Sequence, residues 1–266
     1  MKKSHDNDIG IHLQVDLQEC GAHRDQGTGA HSMSMTDGTV PGVMPGDRVA
    51  WAEQLHLSNF INTFYQYRDL TRCENAKSIL IIGPGQGLDT QVLRWKRFEV
   101  TTFDIDDTFH PDITGSVHDM NSFADKQFDV AIASHVLEHL PVDYLDVAMK
   151  EMARVARYSL IYLPVHGRHC QLRLIPGVRN IDFSLIVDLF NYFRSTDGKE
   201  ARFMGKMHYW ELGLRGFRVG DIKKRFARHF SILHAYRNKD WLPSYNFVLK
   251  SLTVSKQSQA DHREGT

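Results

Sequence analysis

The chain has 266 residues, enough for one α/β domain with extensions or for two small domains, and enough to bury a full hydrophobic core. Lys plus Arg and Asp plus Glu both number 32, so the formal net charge of zero gives no global field of the kind that marks a nucleic-acid binder. The three cysteines, Cys20, Cys73 and Cys170, stand far apart in no metal-like spacing, which implies a reducing, cytoplasmic setting. No apolar run approaches the roughly 20 residues that span a bilayer, and the opening MKKSHDND lacks the apolar segment of a signal peptide.

Residues 1–46 mix Gly, Ser, Thr, Asp and His without periodicity and read as a disordered extension, with Met33, Met35 and Met44 as alternative starts within it. Residues 47–254 read as the folded domain, and 255–266 as a solvated tail. Apolar residues at helical spacing predict a helix within 47–70. SILII at 78–82 is a buried strand, followed by a helix over about 88–97. EVTTFDI (99–105) and FDVAIAS (128–134) are further strands. A helix over about 142–157 leads into the strand SLIYLPV at 159–165. Strands alternating with helices imply right-handed crossovers and a doubly wound, mostly parallel sheet. FSILHAYR and NFVLKSLTV, joined by a short loop with DWLP, form a hairpin that makes the far edge antiparallel.

The first strand ends in GPGQG, with Gly83, Gly85 and Gly87. Residues without side chains let the backbone turn sharply and approach a ligand closely. The spacing G-x-G-x-G departs from the G-x-G-x-x-G that seats a pyrophosphate. The next strand ends in Asp104, where a carboxylate can accept from both hydroxyls of a ribose; the alternative is the start of a polar loop with Asp106 and Asp107. In HDMNSF, Asp119 and Met120 offer an acceptor for an adenine amino group and an apolar face beside it.

SILIIGPGQG, then VTTFDID, then HDMNSFADKQFDVAIASHVLEHLP together resemble, in order and spacing, the class I S-adenosylmethionine-dependent methyltransferases. SHVLEHLP is similar to the fourth-strand motif of the branch that includes many sugar and small-molecule methyltransferases. The resemblance covers residues 75–165 and implies a Rossmann-like sheet of seven strands with the reversed strand in the terminal hairpin. It implies S-adenosyl-L-methionine as cofactor, its methionine portion flanked by Gly83, Gly85 and Gly87. The ribose would then lie on Asp104, the adenine on Asp119 and Met120, and the sulfonium near Ser134 and His135. Two departures stand out: Ile81 replaces the acid common two residues before the first glycine, and RVARYS replaces the usual KPGG turn.

Methyl transfer to a hydroxyl needs alignment, exclusion of water and a base of near-neutral pKa. Among fifteen histidines, His135, His166 and His208 are the candidate catalytic bases, with His169 a weaker one. His135, Glu138 and His139, with His208 as a further ligand, are similar to the E-x-x-E-H pattern with which two methyltransferase groups bind a divalent ion. Many family members carry LEHLP without a known metal, and the sequence reading assigns no metal ligand.

Residues 165–215 are too long for a simple connection and read as a lid. NIDFSLIVDLFNYFR predicts a helix over about 181–194, either buried or forming a homodimer. Arg168, Arg173, Arg179, Arg194 and Arg202 lie around it and would suit an acidic acceptor such as a nucleotide sugar or a lipid-linked glycan. Tyr209 and Trp210 offer flat surfaces for a sugar, and Tyr65, Tyr67 or Arg68 would close the opposite side. Two other readings stand beside O-methylation of a small polar acceptor. One is a cofactor-binding module without turnover, kept open by Ile81. The other is a nicotinamide-dependent oxidoreductase, which the glycine spacing and the lack of a suitably placed Tyr-x-x-x-Lys argue against.

Overall fold

The computed structural model describes residues 12–18, 55–175, 183–189 and 208–252. Its main body is a sheet of seven strands in the order β4-β3-β2-β5-β6-β10-β9. These strands are β2 (Ser78–Ile82), β3 (Glu99–Asp104), β4 (Ile113–Thr114), β5 (Phe128–Ser134), β6 (Ala156–Pro164), β9 (Phe230–Arg237) and β10 (Ser244–Ser251). The pairs from β4 through β6 are parallel, and β10 runs antiparallel to both β6 and β9. The doubly wound α/β fold with an antiparallel terminal hairpin is therefore as expected.

The central strand explains its own sequence. SILII alternates between two apolar layers: Leu80 and Ile82 pack in one core cluster, Ile79 and Ile81 in the other. A strand buried on both faces has no polar side, so its four residues after Ser78 are all apolar. Burying each such side chain contributes about 1.5–3 kcal/mol. Ile81, at the position where the resembled family often has an acid, is buried within the second cluster.

Helices α1 (Leu57–Leu70), α2 (Leu88–Trp95), α3 (Val142–Val155) and α4 (Val219–Phe226) cover these layers. On α3 the buried residues Leu145, Ala148, Met149, Met152, Ala153 and Val155 recur at helical spacing, giving the helix one apolar stripe. Its last residue, Val155, is followed directly by Ala156 of β6, the tight connection that the missing KPGG turn implies. Helix α1 is fixed to the sheet through Asp69. Its fully buried carboxylate accepts from the hydroxyls of Tyr162 (2.8 Å) and Tyr236, and pairs with Arg72.

Two expectations are corrected. Residues 12–18 form a strand, β1 (His12–Gln18), inside the segment whose composition predicts disorder. Phe183–Leu189, placed by the sequence in a helix, forms strand β8. Together with β7 (Arg168–Ile175) they make a second, antiparallel sheet in the order β1-β7-β8. The lid insert is thus strand-forming over Arg168–Ile175 and Phe183–Leu189, and a dimer through a helix over 181–194 loses the element it was to use. Residues 176–182 and 190–207 lie outside the described residues, as do 19–54 and 253–266.

Candidate active site

The chain folds back to β5 after building β3 and β4 on the other side of β2, so the strand order reverses between β2 and β5. Ligands of open α/β sheets bind at the carboxyl ends of the strands at such a switch point. Gly83, Gly85 and Gly87 follow β2 there, and all three have positive φ, at 68°, 49° and 72°. The Gly83 N–H donates to the Phe103 carbonyl at 2.9 Å, joining this turn to the end of β3. A Cβ on Gly83 would lie 2.4 Å from Val136 Cγ2, whereas one on Gly87 would meet no atom within 4 Å. Gly87 is also the left-handed N-cap of α2.

Asp104 ends β3 at the same edge. One carboxylate oxygen accepts from the Asp106 N–H at 2.9 Å, and its carbonyl accepts from Gly115 at 2.7 Å. These contacts fix the carboxylate beside the glycine turn. Asp119 is exposed and accepts from the Asn121 side chain at 2.6 Å. Met120 is wholly buried in the core, so of this pair only Asp119 faces solvent.

Ser134 ends β5 in register with Tyr162 of β6. His135 follows with φ 58°, and its N–H donates to the Tyr162 carbonyl at 2.9 Å. A single 3-10 turn over Leu137–His139 then carries Glu138 inward, to zero exposure. His135 Nδ1 is 3.6 Å from Glu138 Oε1, too long for a hydrogen bond. Burial pushes the Glu138 carboxyl upward, but His135, His139 and His208 together hold it below the ordinary glutamate value.

The segment from His208 crosses this edge. The Tyr209 N–H donates to the Glu138 carbonyl at 2.8 Å, and the His166 N–H to the Leu212 carbonyl at 2.8 Å. Glu211, absent from the sequence reading, is the buried centre of this group. Its oxygens bond His166 Nδ1 at 3.0 Å and His208 Nδ1 at 2.6 Å. Burial alone would raise the Glu211 carboxyl, but these two imidazoles bring it down to about 2. Only the contrast between one acid and the histidines around it in HGRH and MHYWE could have signalled this role.

The structure therefore brings His135, His166 and His208 to one sheet edge with Ser134. His169 is elsewhere: fully buried, it is held by the Val165 carbonyl at 3.1 Å and by Arg237 at 2.7 Å. Trp210 is not a sugar platform. It is fully buried and stacks on Phe217 with ring centroids 5.2 Å apart. Tyr65 is buried too, its hydroxyl donating to Asp240 at 2.7 Å. Tyr67 faces a groove between α1 and α2 with Phe60, Phe64, Val92 and Trp95. The side chains of Arg168 and Arg173, and all of Arg179, Arg194 and Arg202, lie outside what is described.

Residues 80–159 match the sequence family described as Methyltransferase domain. This part of the chain is similar to a methyltransferase domain. It contains the glycine turn, Asp104, Asp119 and the His135–His139 turn. Several solved structures are similar to this chain at low identity. The PH0226 protein of Pyrococcus horikoshii is 14% identical with a TM-score of 0.46, over 76% of this chain and 93% of that one. The 1,6-didemethyltoxoflavin-N1-methyltransferase of Burkholderia thailandensis, solved with S-adenosylhomocysteine, is 12% identical with a TM-score of 0.41, over 80% and 94%. CalS10, an amino pentose methyltransferase from Micromonospora echinaspora solved with S-adenosylmethionine, is 9% identical with a TM-score of 0.44, over 76% and 95%. A search of the curated proteins gives no match.

Among the described residues, no helix is long and apolar enough to cross a membrane.

Proposed function

We propose that this chain is an S-adenosylmethionine-dependent methyltransferase acting on an oxygen of a small polar, sugar-like acceptor. The observation that carries the reading is the turn at the switch point: Gly87 leaves open space at a left-handed residue, beside a carboxylate fixed at the end of β3. That arrangement fits an adenosyl group with its ribose on Asp104 and its adenine toward Asp119. The methionine portion would follow Gly83, Gly85 and Gly87 to Ser134. Bound there, the cofactor supplies an electrophilic methyl on a sulfonium.

The chain's own part is to align the acceptor, keep water away and take up a proton. His135 and His166 are the bases proposed here, at the ends of β5 and β6; Glu211 holds the ring of His166. Oxygen as the target rests on this histidine group, since a hydroxyl needs a base where an amine often does not. We keep a glycan or nucleotide sugar as the acceptor class.

Incubating the full chain with S-adenosylmethionine and a metabolite extract tests the reading by mass spectrometry. The expected result is an acceptor heavier by one methylene, formed with S-adenosylhomocysteine and reduced at least tenfold by His166→Ala. Binding of S-adenosylhomocysteine without any methylated product would favour a cofactor-binding module instead, the reading that Ile81 supports.

A further inference from the structure

We infer that Glu138, His139 and His208 form a binding site for one first-row divalent cation. One ligand atom from each of the three lies within 4.8 Å of the other two. The rings of His139 and His208 stand 4.8 Å apart at 75°, so they approach from different directions. A second observation points to a ligand. Glu138 has zero exposure, and neither of its carboxylate oxygens has a hydrogen-bond partner among the described residues. A carboxylate taken out of water without donors is costly, and a cation between it and two imidazoles removes that cost.

The site is built before any ion arrives. The Tyr209 N–H bonds the Glu138 carbonyl at 2.8 Å, which ties the backbone beside His208 to the Leu137–His139 turn. Glu211 bonds His208 Nδ1 at 2.6 Å. A carboxylate on Nδ1 favours the tautomer protonated there, which makes Nε2 the lone-pair nitrogen. Such an outer carboxylate orients a ligating ring and raises its basicity. Glu211 is thus a positioning residue for the site, acting through His208.

Two imidazoles and one carboxylate suit zinc, manganese, iron or cobalt rather than calcium or magnesium. Three protein ligands leave coordination positions open, as in sites where a metal meets a substrate. A hydroxyl on such a cation loses its proton more readily. The site would therefore select acceptors that present a hydroxyl, or two adjacent ones, to the edge that carries His135 and His166. The cation site rests on the geometry of these residues and stands apart from the methyl-transfer reading.

The test uses the full chain, without a histidine tag, stripped with chelator and then titrated with Co2+. Uptake is followed by elemental analysis and by the visible absorption of the bound ion. Stoichiometric uptake by the wild type is expected, with loss of that uptake in His208→Ala and Glu138→Gln. Glu211→Gln should keep the absorption bands but weaken affinity by roughly 10–100-fold, the scale of an outer-shell partner. Circular dichroism of the same samples reports whether each variant is folded, and titration with S-adenosylhomocysteine tests the methyl-transfer reading separately. If Glu138→Gln unfolds, His208→Ala decides. A wild type with no stoichiometric uptake, or a folded His208→Ala that binds Co2+ as tightly as wild type, overturns the proposal. Co2+ uptake without S-adenosylhomocysteine binding would uphold the cation site and count against the methyltransferase reading alone.

Discussion

Gly83 and Gly87 sit in one turn but lack a side chain for different reasons. At Gly83 an added Cβ runs into Val136, a stiff β-branched residue, so glycine there serves the close approach of two loops. At Gly87 the space beside the Cα is open, and only the left-handed φ restrains the residue. Gly83→Ala should therefore cost about 2 kcal/mol of stability or more, from overpacking and left-handed strain. Val136→Ala in the same chain should recover part of it. Gly87→Ala should cost about 1 kcal/mol from strain alone, yet weaken S-adenosylhomocysteine binding. Thermal melts and calorimetry on these variants separate the two roles; equal losses of stability would contradict the distinction. The left-handed glycine turn and the place of Asp104 at the end of β3 were legible at this scale because such a backbone turn has few substitutes for glycine. Glu211 and Trp210 were not. Burial of a carboxylate between two histidines, or of an indole on Phe217, depends on residues far apart in the chain.

Among the elements, those that strict periodicity defines were readable. SILII, FDVAIAS and the α3 stripe each carry one unambiguous pattern. FSLIVDL does not: apolar residues at 183, 185, 187 and 189 have period two, while Ile186 and the flanking aromatics also satisfy a helical stripe. Pairing with β7 decides for the strand. HLQVDLQ holds the same alternation at 13, 15 and 17 but is lost in a polar segment. Strand ends are also fastened by side chains. Asp129, on β5, accepts from the N–H groups of Lys77 (2.8 Å) and Ser78 (3.1 Å) and from Arg157 (2.7 Å). Burial raises its carboxyl, but the two N–H groups and Arg157 outweigh this and hold it below the ordinary aspartate value. A depressed folded-state value means the contribution is present above the unfolded pKa, about 3.9, and is lost as pH falls through the folded one. Asp129→Asn should therefore destabilise the protein by about 1–2 kcal/mol at neutral pH. The difference from wild type should shrink in urea unfolding near pH 3; a gap independent of pH would contradict the argument.

Over the whole molecule, alternating strands and helices specify the parallel sheet, and with it the edge where a ligand belongs. The second sheet could not be read from this logic, because β1 and β7 are separated by the entire central sheet as far as β6. Its presence makes a prediction about the N-terminal segment. Without β1, strand β7 loses the partner it pairs with over His12–Gln18 and becomes an open edge. Deleting residues 1–54 should leave the circular dichroism of the seven-stranded sheet intact but promote self-association, measured by light scattering. A monodisperse truncated chain would show that β1 does not protect that edge.

The account depends most on the adenosyl site between the glycine turn and Asp104. Calorimetric titration of the full chain with S-adenosylhomocysteine tests it directly. Saturable binding at one site per chain is expected, weakened by roughly 1.5–3 kcal/mol in Asp104→Ala, the scale of a hydrogen bond to a charged group. A wild type that takes up no ligand, or an Asp104→Ala titration indistinguishable from wild type, would contradict it.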